Sequence, residues 1–108
     1  QVVLNLIDNA MKSMEKKNAE KRLTLRSYSA NNHICLSVSD TGSGIPIGIR
    51  EKIFYPFFTT ETDGSGIGLA ISLRIINDHR GAVTVESTES GGARFTIELP
   101  IEKRMQVQ

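Results

Sequence analysis

The sequence predicts an α+β fold, a two-layer α/β sandwich with helices packed on one face of a mixed, mainly antiparallel sheet. Two observations carry this. Two stretches place apolar residues at helical spacing, and four runs alternate apolar with polar residues. Alternation on every strand gives one buried and one wetter sheet face. Two helices against four such strands close a two-layer structure. A chain of 108 residues suffices for one domain with a modest core.

The elements follow in order. Residues 2–17 carry Val3, Leu6, Ile7, Ala10, Met11 and Met14 on one face at 100° per residue, so a helix is expected there. "RLTLRSYS" and "HICLSVSD" alternate around Ala30-Asn31-Asn32, which is turn chemistry, so residues 22–39 read as a hairpin. Residues 47–53 follow Pro46 as a short helix. Residues 66–79 form a second apolar helix with Ile67, Ala70, Ile71, Leu73, Ile75 and Ile76, and Gly81 suits its C-terminal cap. "AVTVES" and "ARFTIELP", joined by "TESGG", read as a second hairpin. The domain is expected over residues 1–100, with 101–108 ("IEKRMQVQ") as a frayed tail. A chain that starts at Gln1, without Met and inside a helix, reads as a piece of something longer.

Composition narrows the function classes. The formal net charge is +1 and the basic residues are scattered, which gives no electrostatic case for nucleic acid. Cys35 is the only cysteine, so an internal disulfide is impossible and a reducing compartment fits. It alternates with apolar neighbours and reads as structural. No apolar run approaches the roughly 20 residues of a membrane span, and no signal peptide is present.

Three polar features call for a use. "DTGSGIP", residues 40–46, combines a carboxylate with two glycines and a proline. It reads either as a plain turn or as a ligand carboxylate beside backbone that glycine lets approach closely. Asn5, Asn9 and Lys12 lie within about 60° of one another on the first helix. They form either a solvated face or a functional one. Asn costs a helix roughly 0.6 kcal/mol relative to Ala at each site, while an amide oxygen is a hard ligand that suits Mg²⁺ and a lysine one turn on meets phosphate as a point charge. "GSGIGLA", residues 64–70, opens the second long helix, where unpaired N–H groups favour phosphate. Its spacing is neither a Walker loop nor a dinucleotide fingerprint. Between the clusters, "IREKIFYPFFTTETD" gathers Phe54, Phe57 and Phe58, three of the four phenylalanines. They either fill a gap in the core or tack down a lid over a binding site.

Together "NLIDNAMKS", "DTGSGIP", "IFYPFF" and "GSGIGLA", in this order, resemble the N box, first glycine box, F box and second glycine box of sensor histidine kinases. The resemblance runs from Gln1 to about Pro100. "FFTT" and the closing "GGARFTIELP" resemble the branch of nitrogen-regulation and sporulation kinases. The family's catalytic domain has the Bergerat fold, shared with gyrase, mismatch-repair and heat-shock chaperone ATPases. The resemblance implies that Asp40 accepts a hydrogen bond from the adenine amine, and that Gly42 and Gly44 let the backbone pass beside the base. Asn9 would ligate Mg²⁺, Asn5 would support metal and phosphates, and Lys12 would reach a phosphate. Gly64, Gly66 and Gly68 would free the far end of the lid and offer N–H groups to the triphosphate. Ile45, Phe54, Phe57, Phe58, Ser65, Ile67 and Leu69 would complete the ATP site.

On this resemblance the chain is the catalytic half of a protein-histidine kinase. It would pass the γ-phosphoryl of ATP to a histidine on a separate dimerisation domain, with a response regulator downstream. The location implied is cytoplasmic, whether or not the parent is membrane-anchored. The isolated domain is expected to be a monomer, inactive without its acceptor, and the parent a homodimer. Three departures bear on this. Glu61 stands where a lysine commonly follows "FFTT", although Lys12, Arg50 and Lys52 offer other positive charge; Ser65 replaces the usual Thr. The family's helix and strand before the N box are missing, which would leave an exposed sheet edge. His33 and His79 read as structural, neither lying in a phosphoacceptor motif. Two alternatives stand beside the kinase. A gyrase-like hydrolase needs a glutamate where this chain has Asn5, and Asp8 is a less suitably directed substitute. The other is a non-catalytic nucleotide-binding regulatory module.

Overall fold

The alternating runs form one sheet whose buried face is laid down by register. The computed structural model describes residues 1–15, 20–54 and 68–101. Helix α1 (Val2–Met14) leads to strands β1 (Leu23–Ala30) and β2 (His33–Asp40). Two 3₁₀ turns follow at Ile47–Ile49 and Lys52–Phe54, then helix α2 (Gly68–Asp78) and strands β3 (Ala82–Ser87) and β4 (Ala93–Pro100). The strand order is β1-β2-β4-β3, and every described pairing is antiparallel.

Register aligns Leu25, Val38, Phe95 and Val85 in one row across the sheet, with Ser27, Leu36, Ile97 and Val83 in the next. Both rows face the helices. α1 contributes Leu6 and Ala10 to the core and α2 contributes Ile76, around Val38, Ile53, Ala93, Phe95 and Ile97. Phe95 is the largest fully buried side chain, and truncating such a ring costs about 3–5 kcal/mol. Leu25 shares Phe95's row yet is half exposed, because β1 is an edge strand. The opposite face carries Cys35, Ser37 and Thr96, all three buried. Cys35 is therefore structural, as its place in the strand pattern suggested.

The β1–β2 turn puts both Asn31 and Asn32 at positive φ, 52° and 63°, the two-residue hairpin that asparagine tolerates well. The short helix expected over 47–53 is instead two separate 3₁₀ turns. At the end of α2 the cap differs from expectation. Arg80, not Gly81, takes the left-handed conformation, at φ 59°. The Arg80 N–H donates to the Asn77 carbonyl and the Gly81 N–H to the Ile76 carbonyl, both at 2.9 Å, which is the Schellman pattern. Gly81 is needed for space, since a Cβ there would meet the Leu99 side chain at 2.7 Å. After β4, the Ile101 N–H donates to the Asn32 carbonyl at 2.9 Å; the tail from residue 102 lies outside the described residues.

Candidate functional site

Asp40 ends β2 on the face that carries Val38 and Leu36, so alternation aims its carboxylate toward the helices. It is 3% exposed. Its Oδ1 accepts hydrogen bonds from the Gly42 N–H at 2.8 Å and the Ala93 N–H at 3.3 Å. Two backbone donors on one oxygen fix the carboxylate and offset part of its desolvation. Oδ2 has no partner among the described residues, which leaves one oriented acceptor. Three segments converge here, and glycine lets them. Gly44 has φ 74°, and a Cβ on Gly42 would overlap Ser13 of α1. A Cβ on Gly92 would strike the Asp40 carbonyl and lie 2.9 Å from Oδ1.

The polar flank of α1 faces α2. Asn5 is half-buried, and its Nδ2 donates to the Gly68 carbonyl at 3.3 Å and to Ser72 Oγ at 3.1 Å. Asn9, one turn on, is also half-buried, and its side chain makes no hydrogen bond among the described residues. Its unclaimed amide oxygen fits a hard cation that keeps water and phosphate in its shell. No group of three or more His, Cys, Asp or Glu side chains that could cage a metal exists among the described residues. Lys12 pairs with Asp8 at 3.2 Å, the side chains being 48% and 65% exposed. An exposed pair at that spacing is worth only about 0.3–0.5 kcal/mol, so the ammonium is readily redirected.

Other expected site residues divide between core and connection. Ile45 and Leu69 pack partly against the core. Phe54 sets its ring edge-on to Phe95, centroids 6.3 Å apart, as a gap-filling residue does. Gly68 is the first residue of α2. Phe57, Phe58, Glu61, Gly64, Ser65, Gly66 and Ile67 lie outside the described residues. The Arg50 guanidinium is occupied, donating to Ser87 Oγ at 2.6 Å and to the Ile45 carbonyl at 3.4 Å. Lys52 is exposed. His33 and His79 each place Nδ1 2.8 Å from a nearby backbone carbonyl.

Five contributors were not expected from the sequence. Ser13 Oγ accepts from the Ser43 N–H at 3.2 Å, tying α1 to the glycine loop. Thr41 Oγ1 accepts from the Arg22 N–H and donates to the Glu20 carbonyl, both at 2.9 Å, pinning the entry to β1. Gly92 and the Ala93 N–H come from a hairpin far off in sequence. Ser72 left a legible signal, a hydroxyl on the apolar stripe between Leu69 and Ile76. A groove of about 400 Å³ opens at the end of β2, lined by Arg22, Thr24, Ser39, Asp40, Thr88 and Arg94 among others. Its two arginines are paired with Glu20 and Glu86.

A family model described as histidine kinase-, DNA gyrase B- and HSP90-like ATPase matches residues 1–103. The chain belongs to that family. The histidine-protein kinase AtoS of Escherichia coli K12 is 43% identical over 101 residues, covering 94% of this chain and 16% of that protein. The sensor protein FixL of Bradyrhizobium diazoefficiens is 40% identical over 100 residues, covering 93% of this chain and 20% of that protein. The chain thus spans less than a quarter of the length of these relatives. Among solved structures, a mycobacterial sensor histidine kinase, MprB, matches with TM-score 0.81 at 33% identity, over 92% of this chain and 69% of that one. The catalytic domain of histidine kinase ThkA matches with TM-score 0.78 at 39% identity, over 93% and 64%. The fold is that of the ATP-binding catalytic domain of sensor histidine kinases. Among the described residues no helix is long and apolar enough to cross a membrane.

Proposed function

We propose that this chain binds ATP and donates its γ-phosphoryl to a histidine on a separate dimerisation domain of a sensor kinase. The observation that carries the proposal is the fixed Asp40 carboxylate with its single unclaimed acceptor. An exocyclic amine is the donor that such an acceptor selects. Ser13 meets the loop after Asp40, and Asn5 meets the start of α2; eight residues of helix separate them by about 12 Å. An elongated nucleotide would fit along that flank, its base at Asp40 and its phosphates toward Asn9 and Gly68. A solved relative, ShkA, is described in complex with AMPPNP and is 35% identical, with TM-score 0.78.

Asn9 would hold Mg²⁺ through its amide oxygen, and the ion would supply charge neutralisation at the phosphates. Asn5 would stand beside the ion, Lys12 would leave Asp8 for a phosphate, and Gly68 would open α2 toward the triphosphate. Ile45, Phe54 and Leu69 would bound the pocket, together with the expected residues outside the described segments. This chain's task is positioning rather than proton transfer. The amide of Asn5 cannot take a proton from water, and Asp8 is solvent-exposed rather than on the half-buried flank with Asn5 and Asn9, which argues against efficient hydrolysis. A response regulator downstream, a homodimeric parent and a cytoplasmic site complete the reading.

Radiolabelled ATP tests it. The chain alone should label neither itself nor release phosphate appreciably. Adding a cognate dimeric helical domain should label that domain slowly, because no linker raises the effective concentration. Replacing its acceptor histidine should abolish the label. Label on this chain, or rapid phosphate release without a partner, would overturn the reading.

A further inference from the structure

We propose that Ser72 is a positioning residue that fixes the amide orientation of Asn5; the nucleotide part of this rests on the function proposed above. Ser72 is 1% exposed, on the apolar stripe of α2. A hydroxyl so deeply buried needs partners for both its proton and its lone pairs. Its Oγ donates to the Gly68 carbonyl one turn back at 2.9 Å and accepts from Asn5 Nδ2 at 3.1 Å. Gly68 O is itself 3.3 Å from Asn5 Nδ2.

These three groups leave one self-consistent arrangement. The Gly68 carbonyl only accepts, so the Asn5 atom 3.3 Å from it must be the NH₂ group; that group also donates to Ser72 Oγ, which leaves the Ser72 proton for the carbonyl. Flipping the amide would set its oxygen against the carbonyl and strand the Ser72 lone pairs in a dry site. The flip is therefore blocked, and Oδ1 becomes the group that Asn5 offers outward. A carbonyl oxygen repels phosphate oxygens, whereas it accepts from water bound to a cation. Ser72 thereby commits Asn5 to the hydrated ion beside Asn9 and not to the phosphates directly. It touches no ligand; it acts through Asn5.

The test has one arm without ligand and one with it. In the nucleotide-free protein, NMR of the Asn5 side-chain amide should show one proton that shifts and exchanges faster in Ser72→Ala, with the backbone spectrum otherwise retained. With AMPPNP, Ser72→Ala should weaken binding about fivefold to tenfold when Mg²⁺ is present, and less than about twofold in EDTA. Ser72→Cys fills the site with a poor hydrogen-bonding group and should behave alike if the alanine variant folds badly. Ser72→Thr keeps the hydroxyl and should restore the magnesium effect. An unchanged Asn5 amide in Ser72→Ala, or equal losses with and without Mg²⁺, would overturn the proposal. If the unaltered protein bound no nucleotide, the proposed function would fail, while the NMR arm would still decide whether Ser72 holds Asn5.

Discussion

Replacing Asp40 with asparagine separates the structural task of this side chain from its proposed recognition of adenine. Oδ1 accepts from the Gly42 and Ala93 N–H groups, and an asparagine oxygen can keep both bonds. The other terminal atom changes from an acceptor to a donor. It cannot be flipped back, because its NH₂ would then face two backbone donors in a site only 3% exposed. The adenine amine would meet a donor instead of a carboxylate. Losing a hydrogen bond to a charged acceptor costs about 1.5–3 kcal/mol, or roughly 10–150-fold in Kd. Alanine is the blunter change. It would strand two buried N–H groups at about 1–3 kcal/mol each and confuse folding with binding. The assay is a competition titration with a fluorescent ATP analogue, beside thermal melting of both proteins. A guanine competitor adds a direction, since its carbonyl would accept from the new amide and should lose less affinity than ATP. Unchanged ATP affinity in a folded Asp40→Asn protein would refute the assignment.

Other outcomes follow from the same geometry. Asn9→Ala should weaken binding of an ATP analogue about tenfold with Mg²⁺ and far less in EDTA, because the lost group suits the ion and not the base; equal losses in paired titrations would make Asn9 merely structural. Arg80→Gly should raise stability by about 0.5–1 kcal/mol, since a side chain is removed from the left-handed region at φ 59°; urea unfolding reads it, and no gain would count against the strain argument. Gly92→Ala should destabilise by about 1–3 kcal/mol and weaken ATP binding as well, because the new methyl displaces Asp40. An alanine there with native stability and affinity would show that the hairpin does not hold the carboxylate.

Much of the fold was legible because its cause is periodic. Leu36, Val38, Phe95 and Ile97 alternate with polar neighbours, and one row of such residues crosses all four strands. Asp40 was legible as a singular feature, a carboxylate in phase with apolar residues and followed by glycines. The donors that hold it were not. Gly92 and the Ala93 N–H reach Asp40 from more than fifty residues away, and nothing local marks a backbone N–H as a ligand. The cap of α2 misled for a related reason. Gly81 stands where a capping glycine belongs, yet what it answers is contact with Leu99 and β4, while Arg80 takes the left-handed turn. Ser72 shows the middle case. Its place on an apolar stripe was visible, but its importance depends on Asn5 of another helix lying 3.1 Å away.

If Asp40 and Asn9 act as proposed, this domain binds adenine nucleotide with help from a divalent ion. Titration calorimetry with AMPPNP, run once with Mg²⁺ and once with EDTA, decides it. One site per chain is expected, saturable in both conditions and tighter with Mg²⁺. No heat or displacement up to millimolar nucleotide in either condition would contradict it.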